Sequence, residues 1–317
     1  MRAGFVILSS DEAPLLEYAL ALACSEGFDE GLVIDNASAD ETAEVATRFG
    51  VERLALDRRV PYTEAMNAGL ARVQTDAVAM LQADTFISPG YRAACLRALD
   101  SDARVGSVAP KLIRATGPLP EERLELLDAA AMTFDRRRKN SLVGHGTAAS
   151  SYAVAGEVFG ADGAAALYRR ETLLDCAIGG QVFDENMPGW GCDADLAWRA
   201  CLFGWTSRYE PTAVVHHIRT YSPTTRATAT PADRRTQFRN RLLMIAKNDS
   251  ARDLARDAVP LLVYEVLALG YAALRERELL GGYVEAWRRL PQARRDRHEI
   301  QRRRRVARVP FGLQPHP

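Results

Sequence analysis

Short apolar runs alternate with stretches of helical spacing over the first hundred residues. Gly4–Ser9 (GFVILS) is a continuous apolar run that ends on a polar residue, and Pro14–Cys24 follows with apolar residues on one helical face. Gly31–Ile34 is apolar again and ends at Asp35; Val51–Leu56, Ala77–Leu81 (ending near Asp84) and Val105–Ala109 repeat the pattern. Between them, Ser38 with Glu41 three residues on reads as a capping box that opens a helix to about Phe49. Thr63–Val73 is a third intervening helix, counting Pro14–Cys24, and Ser88-Pro89-Gly90 opens a fourth to about Leu99. Strands separated by crossover helices predict an α/β fold with a mostly parallel, Rossmann-like sheet covered on both faces.

The pattern changes after Pro110. Residues 114–150 are rich in Gly, Pro, Arg and polar residues and read as loops with a hairpin laid over the sheet. Ala155–Phe159, Ala164–Tyr168 and Ala213–His216 are further strands, and Asp193–Leu202 is a helix whose first turn carries two acids, as the helix dipole favours. From Ala232 to about Arg308 the chain reads as helical. Within it, Ala258–Leu274 is apolar apart from Glu265, short for a membrane span, and followed by an Arg-rich segment, 288–308. Two readings stay open for this region: helices packed on the preceding domain with a solvated basic end, or a surface that meets an anionic membrane or a second copy.

Composition narrows the class. Hydrophobic residues make up 47% and charged residues 26% of the 317, enough to bury a large core. Formal net charge is zero, yet from Glu285 onward ten Arg stand against three acids. That basic stretch has few aromatics and belongs to no nucleic-acid module, so no nucleic-acid partner is expected. The five cysteines are scattered without CxxC spacing, which speaks for a reducing compartment and against zinc. The N-terminus turns polar too early for a signal peptide, and a cytoplasmic address is expected.

Ligands of parallel α/β sheets bind at the carboxyl ends of the strands. Ser9, Asp35 and Asp84 fall there in succession, although each alone is also ordinary turn chemistry. The absence of GxGxxG after any of these strands excludes the dinucleotide-binding reading, and no P-loop pattern is present. A second cluster lies in FDENMPGWGCDADLAWR, residues 183–199. Asp193 and Asp195 flank Ala194 at a helix start and point in different directions, so they are no matched acid pair: either one faces a site while the other caps the helix, or both are capping acids on a solvated helix. Gly189 and Gly191 let the backbone bend around Trp190. A third element is the pair His216-His217 at a strand end.

In order and spacing, these segments resemble family 2 glycosyltransferases of the GT-A fold, most closely the non-processive, rhamnosyltransferase-like members. The resemblance is carried by Ser9-Ser10-Asp11 after the first strand, Ile34-Asp35-Asn36-Ala37-Ser38-Ala39-Asp40, Asn67-Ala68-Gly69, Leu81-Gln82-Ala83-Asp84, Gly180 to Glu185 followed by Cys192-Asp193-Ala194-Asp195-Leu196, and Pro211 to His217. Arg239-Asn240-Arg241 and Lys247-Asn248-Asp249 match a helix that follows the catalytic core. The chain departs from the pattern at Gln82, where an Asn or Asp is usual, and at Cys192, where a Glu is usual.

The resemblance implies an inverting transferase that moves a sugar from a nucleoside-diphosphate donor, dTDP-rhamnose or another, to a hydroxyl of a glycan or lipid-linked glycan in surface polysaccharide synthesis. It implies Asp193 as general base and Mg2+ or Mn2+ held by Asp84 and His217. Ser9, Asp35, Asn67 and Asp84 would line the nucleotide site. Trp190, Gly191 and Asp195 would meet the acceptor or sugar, with a core tryptophan and a helix-orienting Asp195 as alternatives. The implied domains are a GT-A catalytic domain over 1–230, divided near 110 into donor and acceptor halves, and a helical C-terminal region over 231–317, either membrane-associating or oligomerising. Two competing functions are a non-catalytic nucleotide- or sugar-binding protein and a sugar-1-phosphate nucleotidyltransferase; Ser9-Ser10-Asp11-Glu12 has no glycine and is acidic, which counts against the latter.

Overall fold

The computed structural model describes residues 1–219 and 229–316. The first part alternates β1 (Ala3–Ser9), α1 (Ala13–Ser25), β2 (Glu30–Asp35), α2 (Thr42–Arg48), β3 (Glu52–Ala55), α3 (Tyr62–Arg72), β4 (Ala77–Gln82), β5 (Thr85–Ile87) and α4 (Tyr91–Asp100). Then come β6 (Val105–Ala115), β7 (Arg123–Ala129), a hairpin of β8 (Met132–Phe134) and β9 (Asn140–Leu142), β10 (Gly156–Val158), β11 (Ala165–Arg169), α5 (Arg170–Cys176), α6 (Cys192–Leu202) and β12 (Thr206–His217). The chain ends in α7 (Pro231–Asn248), α8 (Ala251–Arg256), α9 (Ala258–Leu274) and α10 (Glu278–Arg303).

The central sheet runs β10-β12-β6-β11-β4-β1-β2-β3. Strands β3, β2, β1 and β4 are parallel, as are β6 and β12, while β11 and β10 run against their neighbours. The strands are apolar on both faces because both faces are covered. Val6, Leu32 and Ile34 belong to one core with residues of α3, α6 and α7; Phe5, Ile7 and Val33 belong to the other, with α1, α2 and α4. Helix α3 sits so close to β2 that a Cβ on Gly69 would lie 2.1 Å from Ile34 Cδ1, so only glycine fits there.

Three sequence expectations change. The strand expected to end at Ala109 continues through Pro110 to Ala115, and the strand expected over 213–216 is the end of a twelve-residue β12. Proline had argued for a break, but the ladder accommodates it: the β6–β12 register shifts between Glu210 and Val214, beside two prolines that lack an amide hydrogen. The capping box at Ser38 does not form. Helix α2 starts at Thr42, whose backbone N–H donates to Asp40 Oδ1 (3.1 Å), while Ser38 Oγ accepts from Asp11 N (3.2 Å). A capping box does open α7, between Thr230 and Asp233, with Pro231 in the first turn.

Candidate active site

The carboxyl ends of β1 and β2 are laced together into one lip of a crevice. Asp11 and Ala37, just past these strands, both hold left-handed backbones (φ 60° and 53°). For Ala37 this costs roughly 1 kcal/mol. Asp11 Oδ1 accepts from Ala39 N (2.7 Å), and its other oxygen pairs with Arg59 (2.5 Å). Asp35 is buried beneath this lip, accepting from Ser38 N (2.9 Å) and from Arg53 Nη1 (2.7 Å), which leaves further lone pairs on each oxygen. Ser9 is not in the lip. Its hydroxyl is fully buried against Thr42 Oγ1 (3.3 Å), a packing contact.

Strand β4 ends one turn before Asp84, and the short β5 that follows pairs with the end of β12, placing His217 opposite Thr85. Alternation along β12 turns His216 and His217 to opposite sides. His216 is kept neutral: burial, with Arg123 adding to it, pushes it down to about 4. His217 faces Asp84, with Nε2 3.7 Å from Asp84 Oδ1, and its Nδ1 lies 2.9 Å from Asp128 Oδ2. With the ring proton on Nδ1, toward Asp128, the Nε2 lone pair is free for a cation beside Asp84. Asp84 Oδ1 is buried and has no hydrogen-bond partner, and burial raises the pKa of this carboxyl.

Such an orphaned carboxylate oxygen, a histidine lone pair beside it and a carboxylate behind the histidine suit a divalent cation. Among the described residues no group of three or more His, Cys, Asp or Glu could hold a metal alone. Asp84 and His217 therefore offer two donors, and a cation there would need its remaining oxygens from outside the protein.

From Asp128 the network continues. Arg219 Nε donates to both Asp128 oxygens (2.8 and 2.7 Å), and its Nη2 donates to Asp162 (2.9 Å). Next to Asp162, Gly163 N donates to Asp193 Oδ2 (3.1 Å). An unbroken series of contacts thus runs from Asp84 through His217, Asp128, Arg219 and Asp162 to Asp193. Asp193 is half-buried at the start of α6. Burial first, and the Asp162 carboxylate second, push its pKa up to about 6. Gly191 supplies the left-handed N-cap (φ 85°) that turns the chain into α6, and a Cβ there would lie 3.3 Å from Met244 Cε. Trp190 beside it is half-buried, its carbonyl accepting from Asn240 Nδ2 of α7 (2.8 Å).

Two other candidate side chains are taken up by bonds within the protein. Asp195 is fully buried and bonded to Arg199 (2.9 Å), Lys247 (2.8 Å) and Asn248 (2.7 Å), so it ties α6 to α7. Burial opposes its ionisation, but Lys247 and Arg199 outweigh that and hold it at about 2. Replacing Asp195 with alanine removes the carboxylate from buried Arg199 and leaves Lys247 with Asp184 alone. We expect a loss of about 3–5 kcal/mol of stability, measured by urea denaturation. Asn67 is likewise structural: its amide bonds Phe183 N and O (2.9 and 2.8 Å) and Glu185 (2.9 Å), pinning the loop that leads toward α6.

Asp128, Asp162 and Arg219 were missed in the sequence. They come from β7, the loop after β10 and the residue pair beyond β12, and no local spacing links them.

Residues 5–173, more than half of the chain, match the family model described as glycosyl transferase family 2. The chain belongs to that family. A pre-mycofactocin glycosyltransferase of Mycobacterium tuberculosis is 34% identical over 154 residues, which are 48% of this chain and 29% of that protein. The matched stretch thus spans under a third of that relative's length. Among solved structures, S. aureus TarS 1–349 in complex with UDP-GlcNAc superposes with a TM-score of 0.60 at 14% identity, over 95% of this chain and 90% of that one. GalNAc-T7 with UDP, GalNAc and Mn2+ gives 0.59 at 13% identity, over 78% and 48%. At such identities the likeness is one of fold, and the fold is the GT-A type.

Proposed function

We propose that the chain is an inverting glycosyltransferase that carries a sugar from a nucleoside-diphosphate donor to an acceptor hydroxyl. The observation that carries this reading is the run of contacts from Asp84, whose buried Oδ1 makes no hydrogen bond and lies 3.7 Å from His217, through Asp128, Arg219 and Asp162 to the Gly163 N–H on Asp193. Residues 1–230 form the catalytic domain on this reading, with α7 buttressing it through Asn240, Lys247 and Asn248.

In the reaction, the acceptor oxygen attacks the anomeric carbon opposite the nucleoside diphosphate. The bond from that carbon to the diphosphate oxygen breaks with its electron pair, and the acceptor proton passes to the Asp193 carboxylate. Asp84 and His217 would hold Mg2+ or Mn2+, which when bound neutralises charge growing on the departing diphosphate. Asp128 keeps the His217 lone pair aimed, and Arg219 keeps Asp128 in place. Asp35 faces the base of the nucleotide, and Trp190 and Gly191 flank the sugar. The structures that share the fold bind UDP or UDP-GlcNAc, and dTDP-rhamnose remains the donor suggested by the sequence motifs. A glycan or lipid-linked glycan is the acceptor class on this reading. The five cysteines are all unpaired, which supports a cytoplasmic address.

A base must be ionised to accept a proton. Asp193, raised to about 6, is protonated below that pH, so kcat/KM is expected to rise with pH through an apparent midpoint near 6 and to level off above it. A profile flat from pH 5 to 7.5 would remove Asp193 from the role. The donor is tested by thermal shift with UDP, GDP and dTDP, each with and without Mn2+.

A further inference from the structure

Helix α9 is apolar all round apart from Glu265, and such a helix is normally buried or in contact with lipid. In this chain it is neither enclosed nor long enough to cross a membrane; among the described residues no helix is. Its inward side, with Leu261 and Ala272, packs toward the protein, and Glu265 on that side is tied to Arg241 (2.6 Å). Its outward side is a single stripe at helical spacing: Val259, Leu262, Val263, Val266, Leu267 and Leu274, each between 54% and 82% exposed. On α10, Leu280, Val284 and the 74%-exposed Trp287 make a second apolar stripe. Val266 also borders a groove of about 440 Å³ lined by Leu242, Ile245, Leu254, Leu261 and Leu269.

The charge around this face names its occupant. No acid lies on the outward stripe. Arg252 and Arg256 stand exposed before its N-terminal end, where Asp253 and Asp257 are buried against Arg304 and Arg138; Arg275 and Arg277 stand exposed at its C-terminal end, where the half-buried Glu276 and Glu278 are turned to Arg234. A second copy is a poor fit, because the exposed charges at both ends are arginines: pairing two stripes parallel or antiparallel sets arginine against arginine. An anionic lipid surface satisfies both features at once, taking the apolar stripe into its acyl boundary and the guanidinium groups among its headgroups. We propose that the outward face of α9, with Trp287 of α10, docks this protein in the plane of an anionic bilayer.

The test is co-sedimentation of the full chain with vesicles of neutral phosphatidylcholine, and with the same lipid plus phosphatidylglycerol. Binding to the anionic vesicles is expected to be on the order of tenfold tighter and to weaken with salt. Leu262→Glu combined with Leu267→Glu is expected to abolish binding while the thermal melt stays as in the parent chain, since both side chains point to solvent. Quenching of tryptophan emission by brominated lipid is expected in the parent chain and is expected to fall away in Trp287→Phe. Equal binding to neutral and anionic vesicles would overturn the role of the arginines. Failure to bind either, together with a dimer in sedimentation velocity that the double variant dissociates, would assign the face to a second copy instead. Because the readout is lipid binding, its failure leaves the proposed transfer reaction untouched.

Discussion

Asp193→Asn is expected to lower kcat by roughly 10²–10⁴-fold, the usual worth of a positioned general base, while nucleoside-diphosphate affinity is unchanged. Asparagine keeps the shape and can still accept from Gly163 N, so the loop and the start of α6 hold. What is lost is the ability to take the acceptor proton. A companion variant separates base from scaffold. Asp162→Asn removes the negative neighbour that helps raise Asp193 and frees Arg219, so the midpoint of the pH profile is expected to move below about 6. A purely structural Asp162 would change the amplitude and leave the midpoint in place. Retention of transfer in Asp193→Asn would move the base elsewhere, or favour the binding-only reading that Gln82 and Cys192 keep alive.

Asp84→Ala is expected to abolish the dependence of nucleotide binding on divalent metal, with an affinity loss of at least about 100-fold in the presence of Mn2+. The reasoning rests on the site rather than the motif. Asp84 offers a buried oxygen with no partner, and His217 offers a lone pair 3.7 Å away. Asp128→Asn tests the support behind them. It leaves both ligands present but loosens the tautomer and aim of His217, and is expected to weaken metal-assisted binding by about 10–100-fold. Calorimetry with UDP or dTDP, with and without Mn2+, reads both variants without requiring the acceptor. Unchanged affinity in Asp84→Ala would remove the metal from this position.

What could be read from the chain follows from where its information is local. Strands β1, β2 and β4 are buried on both faces, so they stand out as continuous apolar runs, and the polar residue that ends each one marks the binding edge. Motif spacing singles out Asp84, His217 and Asp193, and the fold gathers them into one network. The same spacing singles out Ser9, Asn67 and Asp195, whose side chains are taken up by contacts within the protein, because a motif keeps residues for packing as readily as for ligands. Asn67 holds the loop at 183–185, Gly69 admits α3 against β2, and Asp195 bolts α6 to α7. The groups that complete the site were illegible for a different reason. Asp128 lies in the polar stretch 114–150 that reads as loop, Asp162 lies in the gap between two expected strands, and Arg219 reaches both only through the pairing of β12, β6 and β7. Long-range ladders whose strands contain proline leave little periodic signal.

The measurement closest to the centre of this account is the melting temperature of the parent chain, Asp193→Asn and Asp84→Ala with nucleoside diphosphates and their sugars, each with and without Mn2+. The account predicts a metal-dependent rise for at least one nucleotide, equal in the parent chain and Asp193→Asn and absent in Asp84→Ala. A rise that ignores metal and survives Asp84→Ala, or no rise with any nucleotide, would contradict it.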